Sequence, residues 1–291
     1  MPHLDTEDLR IEFIETGAQH GYPVIFLHAW PDDASTWSEV MSRFEGRRLR
    51  MIVPTLRGFG KTVFTRHDAA RTANSAILAM DAIALMDGLG IEKFSAVGHD
   101  WGSNIVEALA IGWPQRVEKI AMLSSLPRMG GIKTPPFWHA QLYWYQWFMA
   151  TDRGADAIDK DRKGFARLQW QNWGPDGWFD DATFNQVAQS FENPDWLAVT
   201  LHSYRSRWGE APVDPRSEWL DDQIKGTKSI ALPAVYLQGA EDGVNPPEVS
   251  EEVHRKFSDQ FERILLQNVG HFPQREDPET VARELAVFLK V

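Results

Sequence analysis

The sequence predicts an α/β fold: a mostly parallel central sheet flanked by helices, carrying an inserted helical cap domain. Three observations predict it. Short apolar runs alternate with longer amphipathic stretches over the first 126 residues and again after residue 228, which is the pattern of a parallel sheet covered on both faces. The intervening third holds nine of the thirteen tryptophans and no apolar run that reads as a buried parallel strand. Finally, a glycine-flanked turn at Val97-Gly98-His99-Asp100-Trp101-Gly102-Ser103 joins a strand to a helix, a strained join that lifts its central side chain above the sheet edge. Residues 1–126 and 229–291 are therefore expected to form the core domain and 127–228 the cap.

The elements follow in order. Leu9 to Thr16 reads as an edge strand or hairpin, and Pro23 to Leu27 is a continuous apolar run of buried-strand type. Arg50 to Val53 is a further strand, and Thr72 to Leu89 is an amphipathic helix. Lys93 to Val97 is the strand that enters the strained turn, Ser103 to Ile111 the helix that leaves it, and Val117 to Leu123 another buried strand. Within the cap segment, most of the aromatic residues are expected to pack helices together, with a minority left to wall a pocket. After residue 228 come strands at Ala234 to Leu237 and Arg263 to Leu266, and helices at Pro246 to Lys256 and Pro278 to Leu289, each with proline near its start.

Composition narrows the function classes. A chain of 291 residues without cysteine has no disulfide, no thiolate nucleophile and no cysteine-ligated metal site. A net charge of −11 argues against nucleic acid and anionic membrane surfaces as partners, and mildly against anionic substrates. No stretch has the apolar length of a membrane span, and Met1 to Arg10 is polar and acidic rather than signal-like, so a cytoplasmic location is expected.

Asp100 stands where a serine is common in turns of this nucleophile-elbow type. A serine that displaced a leaving group from saturated carbon would be trapped as an ether, whereas a carboxylate forms an ester that water can cleave. The electrophile is therefore expected to be an sp3 carbon. The helix that follows points backbone N–H groups at the same space, favouring an ionised carboxylate and any developing oxyanion. The competing reading is an aspartate serving only as a helix N-cap. Against it, a base and an acid follow in the order nucleophile, acid, histidine. His271, in Gly270-His271-Phe272, comes directly after the last strand. Asp242, in Gly239-Ala240-Glu241-Asp242-Gly243-Val244, comes directly after the strand before it, with Glu241 as its neighbouring competitor.

These motifs resemble those of α/β-hydrolases, and within that fold the epoxide hydrolase and haloalkane dehalogenase branch that uses an aspartate nucleophile. The resemblance spans nearly the whole chain. His28-Ala29-Trp30-Pro31 is similar to the family's His-Gly-x-Pro motif, which implies that the backbone amides of Trp30 and Trp101 form the oxyanion hole; Ala29 departs from the usual glycine. Leu56-Arg57-Gly58-Phe59-Gly60 resembles a second family loop, with Thr55 where aspartate is common, and is given a structural role. In epoxide hydrolases two cap tyrosines hold and protonate the epoxide oxygen. Of five tyrosines in the chain, Tyr145 (followed by Gln146) and Tyr204 match by context, with Tyr143 the alternative to Tyr145. His28, Trp144 and Trp147 are expected to face the substrate.

The resemblance implies a hydrolase that opens an epoxide to a vicinal diol, with water as co-substrate, no organic cofactor and no metal. The expected partner is a small molecule, an apolar epoxide, with homo-oligomerisation left open. A dehalogenase with the same nucleophile is the first alternative. It would place Trp144 or Trp147 against a halide, but position 30 is not the asparagine often found there. The fluoroacetate dehalogenases follow their nucleophile with arginines, whereas Trp101-Gly102-Ser103-Asn104-Ile105 offers no cation. A catalytically silent binding protein on this fold is the second alternative.

Overall fold

A computed structural model describes all residues, 1–291. Nine strands run in chain order: β1 (His3–Asp5), β2 (Leu9–Gly17), β3 (Tyr22–Leu27), β4 (Leu49–Pro54), β5 (Val63–Phe64), β6 (Phe94–His99), β7 (Val117–Leu123), β8 (Ala234–Gly239) and β9 (Phe261–Leu266). The α-helices are α1 (Ser38–Ser42), α2 (Ser75–Gly88), α3 (Trp101–Gly112), α4 (Phe137–Ala140), α5 (Trp144–Ala150), α6 (Asp152–Lys160), α7 (Arg162–Trp173), α8 (Asp181–Ala188), α9 (Trp196–Trp208), α10 (Glu218–Gly226), α11 (Pro273–Glu276) and α12 (Pro278–Leu289).

The sheet order is β1-β2-β4-β3-β6-β7-β8-β9, with β5 paired to β2. The β1–β2, β2–β4 and β2–β5 pairings are antiparallel, and every pairing from β4 through β9 is parallel. The central strands are apolar without alternation because both of their faces are covered: all six residues of β6 and of β8 are buried. From β3 the chain turns first to β4 on one side and then crosses to β6 on the other. The crevice between the ends of β3 and β6, where Leu27 pairs with Gly98, is thus a topological switch point, the place where open α/β sheets bind ligands.

The segment between β7 and β8 contains seven α-helices, α4 to α10, and no strand. Its aromatic residues join the apolar core on one face of the sheet: Trp170, Trp173, Trp196, Tyr145 and Tyr204 belong to the same buried cluster as Trp30, Ile105 and Met122. The helical segment is therefore packed onto the sheet rather than tethered above it.

One expectation needs correction. Pro246 to Lys256 is not a helix but two 3-10 turns, Pro247–Ser250 and Val253–Lys256. The Gln238 side chain bonds both the Asn245 carbonyl and Ser250, which pins this loop to β8 instead of letting it wind. The Leu9–Thr16 strand is the second arm of a hairpin, the alternative the sequence offered: β1 pairs antiparallel along its outer side, and the two-residue β5 pairs with Leu9 and Arg10 on the opposite side.

Candidate active site

Asp100 sits at φ +47°, ψ −105°, a region that L-residues rarely occupy. The turn is held in this form by close packing on both sides. A Cβ on Gly98 would lie 2.1 Å from the Gly102 carbonyl oxygen, and one on Gly102 would lie 2.2 Å from that of Leu27. Ser103 Oγ donates to the Gly98 carbonyl at 2.7 Å and accepts from the Leu123 amide at 2.9 Å, tying the elbow to β7. The Asp100 side chain makes no capping hydrogen bond to α3, which removes the N-cap reading. Its Oδ2 is buried without a hydrogen-bond partner.

His271 follows β9 and faces Asp100, with 3.9 Å between Nε2 and Asp100 Oδ1. Its Nδ1 donates to Asp242 Oδ2 at 2.9 Å, so in the neutral imidazole the proton resides on Nδ1 and Nε2 is the basic nitrogen. Nε2 has no other partner in the chain. The Asp242 Oδ1 atom is fixed by the amides of Val244 and Asn245, at 2.9 and 2.8 Å. Glu241, the competing acid, makes no contact with the histidine. One carbonyl of the helical segment ties acid and base loops together: Trp173 O, at the end of α7, accepts from the His271 amide at 2.8 Å and from the Gly243 amide at 3.2 Å. Burial opposes a charged His271, but the Asp242 and Asp100 carboxylates outweigh it and raise its pKa above the ordinary histidine value. His99, missed by the sequence reading, bonds the His271 carbonyl through Nε2 at 2.6 Å; burial keeps its imidazole neutral.

Trp30, just after β3, and Trp101, next to Asp100, are both buried. The Trp30 amide makes no backbone hydrogen bond, and the Trp101 amide opens α3, where first-turn N–H groups have no partner within the helix. The Trp30 indole has a second role that the motif did not foretell. It stacks on Tyr145 at 5.8 Å and meets Tyr204 edge-on at 5.3 Å, giving the two tyrosines a common rigid base. Their own rings meet edge-to-face at 5.5 Å. The Tyr204 hydroxyl accepts the Trp101 indole N–H at 3.2 Å, and that of Tyr145 accepts from Gln146 Nε2 at 2.7 Å. Each phenol keeps its own O–H to give away. Desolvation raises both phenol pKa values well above the usual tyrosine value, so both stay protonated. Tyr143, the alternative, donates instead to Asn245 Oδ1 at 2.7 Å.

Beside Asp100 lies a cavity of about 440 Å³ whose walls include Tyr143, Tyr145, Arg128, His139, Arg207 and Lys256. Tyr204 and His271 are not among the residues that line it, and three further residues expected to face the substrate do not line it either. His28 is fully buried with both ring nitrogens engaged, Nδ1 at the Ala29 carbonyl (3.0 Å) and Nε2 at the Leu56 amide (2.9 Å), so it clamps two loops together. Trp147 packs on Trp208 and donates to the Ala140 carbonyl, and Trp144 packs on Phe148 and Phe165; both are partly exposed on the outer side of α5. On α5 Tyr145 and Gln146 turn inward, and Trp144 and Trp147 on either side of them face out. The cavity is also less apolar than the sequence led us to expect, since four cationic side chains line it. Arg57, in the second loop motif, is structural as expected: it pairs through Nε and Nη2 with Asp81, both at 2.6 Å.

No helix is long and apolar enough to cross a membrane. An α/β hydrolase fold family model matches residues 22–278. Among solved structures, a provisionally assigned epoxide hydrolase from Klebsiella pneumoniae is 31% identical, with a TM-score of 0.94 over 100% of this chain and 97% of that one. A provisionally assigned acyltransferase from Salmonella enterica is 26% identical, with a TM-score of 0.81 over 97% and 91%. Epoxide hydrolase A of Mycobacterium tuberculosis is 23% identical over 98% of this chain and 96% of that protein. The chain is thus a hydrolase that belongs to the α/β-hydrolase fold family, and its similarities run to the epoxide hydrolase branch of that family.

Proposed function

We propose that this protein opens an epoxide to a vicinal diol through a covalent ester on Asp100, with residues 127–228 serving as the cap over the site. The observation that carries the reading is the pair of protonated phenols, Tyr145 and Tyr204, held on one indole beside a carboxylate at the elbow. In the first step an Asp100 oxygen attacks a ring carbon, the C–O bond of the epoxide breaks, and the ring oxygen takes a phenol proton. A halide leaves without needing a proton, so a dehalogenase needs hydrogen-bond donors here but no acid. The raised pKa values keep both phenols protonated at neutral pH, so the proton that the leaving oxygen needs is present on each ring.

In the second step His271 Nε2 takes a proton from water, and the hydroxide adds to the ester carbonyl carbon. The Trp30 and Trp101 amides hold the oxyanion, each worth about 3 kcal/mol in comparable sites. Collapse expels the diol oxygen, which takes the proton still carried by the added hydroxide and leaves Asp100 a carboxylate, while the imidazolium proton restores the phenol. Esterification itself prepares this step: it removes the Asp100 charge, one of the two carboxylate charges that raise the His271 pKa, so the imidazole becomes a freer base when it is needed. Single turnover in heavy-oxygen water tests the scheme. Label is expected in an Asp100 carboxylate oxygen, and full activity in an Asp100→Ala variant would refute it.

A further inference from the structure

The chain carries a net charge of −11, yet the cavity beside Asp100 is lined by Arg128, Lys133, Arg207 and Lys256 against a single carboxylate, Asp100 itself. Two of these cations are unanswered. Arg207, near the end of α9, lies with its guanidinium carbon 4.7 Å from the Tyr204 ring centroid and donates once, from Nη1 to Gln146 Oε1 at 3.1 Å. Its Nε and Nη2 atoms are buried without a partner. That Nε/Nη2 edge is the fork this chain uses elsewhere to hold carboxylates, in Arg57–Asp81 at 2.6 and 2.6 Å and in Arg275–Asp32 at 2.8 and 2.6 Å. Arg128 follows β7, and its guanidinium makes no hydrogen bond or ion pair within the chain. Glu107, the nearest other carboxylate, is taken up by the Arg128 and Met129 amides at 2.8 and 2.7 Å. Desolvation and the neighbouring Arg207 depress the Arg128 pKa to about 9.

Two adjacent half-buried cations with no counter-ion repel each other, and an anion entering the cavity offsets that cost. We propose that the substrate carries a carboxylate, taken up bidentately by the Nε/Nη2 fork of Arg207 with Arg128 beside it, and that the bond to be opened is thereby set between Asp100 and the two tyrosines. A planar two-oxygen anion fits a guanidinium edge in a way that a lysine ammonium would not reproduce. Repulsion between that carboxylate and Asp100 is outweighed because the lining holds four positive side chains to one negative. The inference rests on the epoxide reading above and adds its substrate class.

The test pairs 3-phenylglycidate with its uncharged amide of the same shape, measured on wild type, Arg207→Gln, Arg207→Lys and Arg128→Gln. Binding of the inert 3-phenylpropanoate and 3-phenylpropanamide is measured alongside by calorimetry. The wild-type kcat/KM is expected to favour the carboxylate epoxide at least about tenfold, the scale of one charge-assisted hydrogen bond. The ratio is expected to collapse in Arg207→Gln and to recover only partly in Arg207→Lys. If an arginine variant fails to fold, the wild-type ratio and the inert pair still decide. Turnover of the amide with no preference for the acid overturns the inference and leaves the epoxide reading standing. Preferential, Arg207-dependent binding of 3-phenylpropanoate with neither epoxide turned over keeps the anion site and removes the epoxide reading.

Discussion

Replacing Asp242 by asparagine separates the two chemical steps. In the native site Asp242 Oδ1 is held by two amides, at 2.9 and 2.8 Å, and Oδ2 accepts the His271 Nδ1 proton at 2.9 Å. An asparagine keeps its carbonyl oxygen on the two amides and therefore turns its NH2 group toward Nδ1. His271 must then accept at Nδ1 and carry its proton on Nε2, where it faces Asp100 and cannot take a proton from water. Placing a base in the wrong tautomer costs on the order of 10⁴ in rate, about 5 kcal/mol. The first step uses the carboxylate and the phenols and needs no base, so it is expected to slow by less than about tenfold. The ester should accumulate. Rapid-quench kinetics with intact-protein mass measurement would show an adduct of substrate mass that forms in a burst and decays slowly. Equal slowing of both steps, with no adduct, would refute the assignment of His271 to the second step alone.

Tyr204→Phe removes a proton donor while leaving the aromatic packing on Trp30 in place; ring opening should slow by about 10²–10⁴, as measured by the rate of adduct formation. Adduct formation from an alkyl halide of similar shape should be much less affected. The His271 pKa offers a second check through its sign. A protonated imidazole cannot act as base, so ester hydrolysis must fail as pH falls through the His271 pKa. Since the Asp100 charge contributes to the raised value, the kinetic pKa of ester hydrolysis should lie below the pKa of His271 found by NMR in the free enzyme; equal values would contradict the charge coupling. Asp32→Ala strips Arg275 of the buried carboxylate that holds it at 2.6 and 2.8 Å, between the Trp30 loop and the His271 loop. An uncompensated buried guanidinium should cost about 3–5 kcal/mol, and thermal unfolding should fall by roughly 10 °C.

Sequence by itself determined the parts of this protein that depend on local rules. Continuous apolar runs marked the strands buried on both faces, and β7 begins and ends where its pattern does. Two glycines around Asp100 marked the strained turn, because only residues without a Cβ let the chain pass 2.1–2.2 Å from where such an atom would stand. Chain order then pointed to Asp242 and His271. What only the tertiary structure decided is which side chains share a volume. The helical packing turned Tyr145 inward and sent Trp144 and Trp147 out, and two loops folded around His28 and used up both its nitrogens. The sharpest case is charge. A net value of −11 is a sum over the whole surface and counted mildly against an anionic substrate. The field in a cavity is set instead by its own lining, where Arg128 and Arg207, far apart in sequence, are brought beside one carboxylate.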